Sequence, residues 1–67
     1  MSMTRVEIDR EAMIQAGMMR DRGVIPEFTD LVADARRVYG DWPWIPRFAA
    51  MILSRLNNFK AEEERNP

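Results

Sequence analysis

Residues 26–40 read PEFTDLVADARRVYG and make up the clearest structural element of the chain. Apolar side chains recur there at steps of three and four residues, the spacing of one face of an α-helix. Pro26 suits a first helical turn, and Gly40 suits the position just after a last one. The stretch predicts a helix over 26–39 with the apolar face Phe28, Leu31, Val32, Ala35, Val38 and Tyr39.

A second helix is predicted after the linker 41–46. Pro43 and Pro46 keep that linker out of a helix interior, and Pro46 can occupy the first turn of the helix after it. This helix is expected over about 45–61, and the acidic tail beyond it is expected to fray because it has nothing to bury. Its apolar face is Ile45, Phe48, Ala49, Ile52, Leu56 and Phe59.

The N-terminal helix is predicted over about 10–22 and ends at Gly23. Two residues compete to begin it. Thr4 and Glu7 have capping-box spacing, whereas Asp9 lies between Ile8 and Met13, which have the spacing of a hydrophobic staple. We favour Asp9, so that residues 1–8 are a lead-in that either pairs as a strand or extends the helix.

Three helices with short connections indicate an all-α fold, a compact three-helix bundle forming a single domain over 1–67. A chain of 67 residues buries only about 60% of its unfolded surface, so its core is marginal. The chain has no cysteine and no histidine, so disulfides and the usual soft-metal sites do not support it. We expect no cofactor and no metal, and we expect stability to come from helix packing or from association.

Charge and hydropathy restrict the cellular environment in which the protein is expected. The net charge is −1, which predicts no strong non-specific attraction to nucleic acid. No apolar run approaches the ~20 residues that span a bilayer, and a basic segment followed by an apolar one is missing from the N-terminal stretch. We therefore expect a cytoplasmic protein that does not enter a membrane.

The N-terminal helix is apolar on more than one side. Ile8, Ala12 and Ala16 share one face with Met19, whereas Ile14 and Met18 fall almost opposite. A surface helix of a self-sufficient monomer has a single apolar stripe. The pattern therefore predicts that Ile14 and Met18 contact a second subunit or another protein.

Aromatic residues are concentrated at Tyr39, Trp42 and Trp44. Such residues dominate the energetic centres of protein interfaces, so this segment is a second candidate for partner binding. The alternative is that the tryptophans only cap one end of the bundle.

Catalysis is not expected, because the commonest general base and the thiolate nucleophile are both missing. The acidic row Glu27, Asp30 and Asp34 is interpreted as a solvated helix face rather than a cation site. An alternative function is a helix-turn-helix-like regulator that contacts DNA through Arg47, Arg55, Asn57 and Asn58 on the third helix. The linker before that helix is longer and stiffer than the usual turn, which weighs against it.

The sequence thus favours a small non-enzymatic protein–protein interaction module. Such an accessory or inhibitor protein would act by binding a larger partner, or itself as a homodimer. DNA binding through the third helix and the role of an obligate small subunit of a larger assembly are the alternatives. No small-molecule substrate is indicated.

Overall fold

A computed structural model describes residues 3–65, which form three helices and no strand. The helices are α1 (Arg5–Arg22), α2 (Phe28–Tyr39) and α3 (Ile45–Arg65). The predicted all-α three-helix fold is confirmed. The predicted bounds need correction at the start of α1, the start of α2 and the end of α3.

Helix α1 begins at Arg5, so the prediction of a start near residue 10 with Asp9 as its cap is wrong. Thr4 is the N-cap: its Oγ1 accepts a hydrogen bond from the backbone N–H of Glu7 (3.2 Å) and donates one to Glu7 Oε1 (3.0 Å). The capping pair therefore starts the helix. Residues 5–8 are helical rather than a lead-in, and residues 1–2 of the predicted lead-in lie outside the described residues.

The ends of α1 and α2 are set by glycines, as predicted. Gly23 has a φ of 69°, and its N–H donates to the carbonyl of Arg20 while the N–H of Val24 donates to that of Met19. These two bonds are those of a Schellman motif. Gly40, with a φ of 97°, ends α2 and donates to the carbonyl of Arg36.

Helix α2 begins two residues later than predicted. Pro26 restricts Ile25, the residue before it, to extended backbone. Glu27, the residue after it, is also extended, with φ −78° and ψ 154°. Glu27 is the N-cap, and its carbonyl accepts the N–H of Leu31. Pro26 therefore precedes the helix instead of standing in its first turn.

Helix α3 starts at Ile45 with Pro46 in its first turn, as predicted. It continues to Arg65, four residues past the predicted end, so residues 61–65 are helical rather than frayed. Residues 66–67 of the predicted tail lie outside the described residues. Glu63, within this extension, forms an exposed ion pair with Arg20 of α1, with 3.8 Å between Oε1 and Nε.

Helix α3 is the central element. Arg20, near the end of α1, lies beside Phe59 and Glu63 near the end of α3, so α1 and α3 run parallel. Tyr39, at the end of α2, packs on Trp44 and Phe48 at the start of α3, so α2 runs antiparallel. The core consists of Ile8, Ala12, Ala16, Leu31, Ala35, Ile45, Phe48, Ala49, Ile52 and Leu56.

The backbones of α1 and α2 lie close to α3 but not to each other: no Cα of α1 lies within 8 Å of a Cα of α2. The molecule is flattened, with Cα extents of 43 × 23 × 16 Å. Much of the surface of α1 and α2 is therefore turned away from the core. Among the described residues, no helix is long and apolar enough to cross a membrane.

Candidate functional site

The side of α1 that points away from α3 carries four exposed apolar residues together with the charged residues Arg10 and Asp21. Val6, Met13, Ile14 and Met18 are exposed by 76%, 51%, 49% and 45%, respectively, and we call these four residues the outer α1 face. The opposite side of the same helix carries the buried residues Ile8, Ala12 and Ala16. The sequence placed Ile14 and Met18 opposite the core, and both are exposed; their contact with a partner stays a prediction.

A groove separates α1 from α2, because each of them packs only on α3. It has a volume of about 260 Å³. Its floor is formed by the buried residues Leu31, Phe48 and Ile52, and Arg22 and Arg37 lie at its edges. The floor side chains are almost fully buried, whereas Val38, which also lines the groove, is exposed by 68%.

One side-chain hydrogen bond joins α1 to α2 within residues 3–65. Tyr39 Oη donates to Glu11 Oε1 over 3.1 Å, and the same carboxylate oxygen accepts from Gln15 Nε2. Burial raises the pKa of Tyr39 above its ordinary value of 10.0, and the hydrogen bond and the negative charge of Glu11 raise it further. Tyr39 is thereby held in place across the groove rather than projecting as a free anchor.

The two tryptophans pack against the core and are half-buried. Trp42 Nε1 donates to the carbonyl of Tyr39 over 2.7 Å, and the ring of Trp44 contacts Tyr39 and Phe48 at centroid distances of 5.6 and 5.8 Å. Trp42 also lies against Gly40, where a Cβ would stand 3.4 Å from its Nε1. The aromatic residues therefore cap the end of the bundle, and the contact of Tyr39, Trp42 and Trp44 with a partner stays a prediction.

One polar atom of this cap is without a partner: Trp44 Nε1 is buried and forms no hydrogen bond within the described residues. A buried donor of this kind costs about 1–3 kcal/mol. The ring itself packs on Tyr39 and Phe48. The unpaired N–H of Trp44 is therefore destabilising, although the ring of the same residue closes the end of the core.

The residues considered for DNA contact are all exposed on α3. At 100° per residue, Arg47 and Asn58 lie within about 20° of each other on the side of α3 that faces away from the core, whereas Arg55 and Asn57 lie about 60° and 100° from Asn58 on opposite flanks. Arg55 and Asn58 border a shallow hollow that they share with Asp9 of α1. The structure thus places Arg47 and Asn58 on one side and Arg55 on the flank near α1, next to a carboxylate that would repel phosphate.

The acidic row consists of Glu27 at the N-cap of α2 and Asp30 and Asp34 within the helix. Glu27, Asp30 and Asp34 are exposed, and Asp34 accepts a hydrogen bond from Arg37 Nη2 over 3.2 Å. Across the part of the chain that the structure describes, no three acidic side chains converge as they would around a cation.

The sequence missed two features of this surface. Val6 and Met13 belong to the outer α1 face, but Val6 was assigned to the lead-in and Met13 to a staple, and only the true start of α1 reveals their common side. The groove between α1 and α2 was missed because it depends on how both helices pack against α3.

Comparison of the chain with models of known protein families, with curated proteins and with solved structures finds no match.

Proposed function

We propose that this protein is a non-enzymatic protein–protein interaction module that docks through the outer α1 face. The observation that supports the proposal is the exposure of Val6, Met13, Ile14 and Met18 on the side of α1 that the chain does not cover. Contiguous apolar patches on a monomer are uncommon and mark interaction sites. Burying the exposed part of such side chains is favourable in proportion to the area removed from water.

The composition of the surface fits this role. Methionine supplies two of the four residues of the outer α1 face, and flexible thioethers adapt to the shape of an apposed protein. Other large apolar side chains are also exposed, namely Val24 and Ile25 between α1 and α2 and Phe28 and Val38 on α2. The proposed docking surface is the set of four that lies on a single helix, α1. Its natural counterpart is the apolar side of another helix, which presents a matching stripe.

In this account the protein acts as an accessory or inhibitor by occupying a surface of its partner, and it carries out no reaction. Whether the protein is a monomer or a dimer then determines how many partner surfaces it can bind at once.

A photoreactive amino acid at position 14 tests the proposal in the cell that makes the protein. The matched control carries the same amino acid at Ser54, which is exposed on the outward side of α3. We expect a discrete crosslinked species from position 14, to this chain or to another, and none from position 54. Adding Met18→Glu should abolish it, because a charge at an apolar interface is costly.

The absence of a crosslink at position 14, or its persistence with Met18→Glu in place, would contradict the proposal. Equal crosslinking from positions 14 and 54 would also contradict it, since the reaction would then report random encounters.

A further inference from the structure

We infer that the occupant of the outer α1 face is α1 of a second copy of this chain, packed antiparallel in a defined register. The inference rests on the proposed function and names its partner. It depends on four residues, Arg10, Ile14, Gly17 and Asp21, whose arrangement neither the core nor the cap of the bundle requires.

These four residues form a straight stripe along α1. Their spacing of four, three and four residues is that of the core positions of a two-stranded helical pair. At 100° per residue they lie within about 60° of one another, directly opposite the buried side of the helix. Val6, Met13 and Met18 border the stripe, and Ile14 is at its middle.

The stripe is complementary to itself when reversed. An antiparallel pairing centred between residues 15 and 16 places residue 10 opposite residue 21 of the second copy, and residue 14 opposite residue 17. Two-fold symmetry repeats each contact, as an isologous dimer requires. Arg10 then faces Asp21 twice, and Ile14 faces Gly17 twice.

Charge selects this direction over the parallel one. Arg10 and Asp21 are exposed, and neither forms an ion pair with another residue of the range 3–65. In a parallel pair each would face its own copy, and like charges would meet at both ends of the interface. In the antiparallel pair opposite charges meet at both ends, which fixes the register.

Gly17 supports the same register by its lack of a side chain. Glycine inside a helix is unfavourable relative to alanine. No neighbour among residues 3–65 requires it there, because a Cβ at position 17 would have none of their atoms within 4 Å. Opposite Ile14 of the second copy it leaves the space that the larger side chain fills, and Met13 and Met18 cover the contact from the sides.

A charge exchange tests the pairing of Arg10 with Asp21. Arg10→Asp and Asp21→Arg should each weaken dimerisation by about tenfold, since two ion pairs are replaced by two repulsive contacts. The double variant Arg10→Asp/Asp21→Arg should recover the dissociation constant of the unaltered chain. Sedimentation measures all four proteins, and circular dichroism checks that the helices are retained.

Cysteine pairing tests the direction independently, because the chain has no cysteine of its own. The variants Arg10→Cys and Asp21→Cys should each fail to form a disulfide dimer alone, since like positions lie about 16 Å apart along the helix axis. Mixed together and oxidised, they should form the 10–21 heterodimer. Asn57→Cys, on α3, is the control partner that should not react.

Three results would overturn the inference: a monomer at every concentration up to about 1 mM, disulfides between like positions, or no recovery in the double charge variant. A monomer that nevertheless crosslinks through position 14 to a different protein would leave the proposed function intact and remove only the self-association. No crosslink through position 14 to any protein would remove both.

Discussion

Helices α1 and α3 each turn one side toward water, and the two sides differ in chemistry. The outward side of α3 carries Arg47, Ser54 and Asn58, all exposed and polar. The outward side of α1 carries the outer α1 face, with apolar side chains that are about half-exposed or more. Both helices contribute an ordinary apolar stripe to the shared core, so the difference concerns only what each shows to the solvent.

The outward sides of α1 and α3 differ in whether their exposed residues are those that the fold requires. A polar outward side is the usual state of a helix that covers a core, and α3 follows it. The outward side of α1 departs from it without any gain in packing, since none of its four residues belongs to the core. The apolar residues on the outward side of α1 are explained if another protein surface covers them when the protein functions.

The largest expected effect comes from placing a charge on the outer α1 face. Ile14→Glu should make the thermal midpoint independent of protein concentration, whereas the midpoint of the unaltered chain should rise with concentration because only the folded state associates. A charge buried at an interface without a partner costs several kcal/mol. Thermal unfolding followed by circular dichroism over a wide range of concentration provides the measurement.

The matched control for that experiment is Ser54→Glu on the outward side of α3. It introduces the same charge on an exposed helical position, so it should leave the concentration dependence unchanged. If both variants behave alike, the two outward sides are equivalent and the comparison fails.

A smaller effect is expected where α1 meets α2. Tyr39→Phe removes the hydrogen bond to Glu11 and should lower the free energy of unfolding by about 0.5–1.5 kcal/mol, as measured by urea titration. Because folding raises the pKa of Tyr39 above 10.0, its contribution is complete below that pH and declines as the pH rises toward the folded pKa.

The difference in stability between the unaltered chain and Tyr39→Phe should therefore be constant near neutral pH and shrink above pH 10.0. A difference that grows with pH in that window would mean that Tyr39 ionises more easily in the folded protein. The hydrogen bond would then not be the source of the stabilisation.

A comparable or smaller effect is expected from glycine exchange on the two outward sides. In an Ile14→Glu background, which keeps the chain monomeric, Gly17→Ala should raise the free energy of unfolding by about 0.5–1 kcal/mol. Ala50→Gly, exposed on α3, should lower it by a similar amount. A loss of stability with Gly17→Ala would show that the monomer itself needs the glycine.

The smallest expected effect concerns DNA. The exposed surface of α3 includes Arg47 and Arg55, but the chain carries a net charge of −1. We expect no binding to duplex DNA beyond weak, salt-suppressed association, measured by fluorescence anisotropy at two salt concentrations. A salt-sensitive affinity that Arg47→Glu and Arg55→Glu abolish would instead place the function on α3.

Much of the fold could be predicted from the sequence, because helical periodicity and glycine ends are local signals. The stripe of α3 and the ends at Gly23 and Gly40 are of this kind, whereas Phe28 and Val38 of the predicted α2 face are exposed. The start of α1 was mistaken because Thr4 and Asp9 both satisfy the pattern of an N-cap. Met13 favoured Asp9 by its spacing from Ile8, yet Met13 is exposed and Ile8 is buried.

The candidate site was predictable only in part. That Ile14 and Met18 stand opposite the core follows from the angular step of a helix. That Trp42 and Trp44 cap the bundle does not, because it depends on how the linker folds back on Tyr39. The groove between α1 and α2 likewise depends on two separate packings against α3, which no local pattern specifies.

The most direct test of the central claim is the mass of the unaltered chain in solution, measured by sedimentation equilibrium from dilute to about 1 mM protein. We predict a reversible approach to twice the monomer mass of 7.9 kDa, and a monomer throughout for Ile14→Glu. A folded monomer for both chains at every concentration would contradict the claim that the outer α1 face is covered by a second copy.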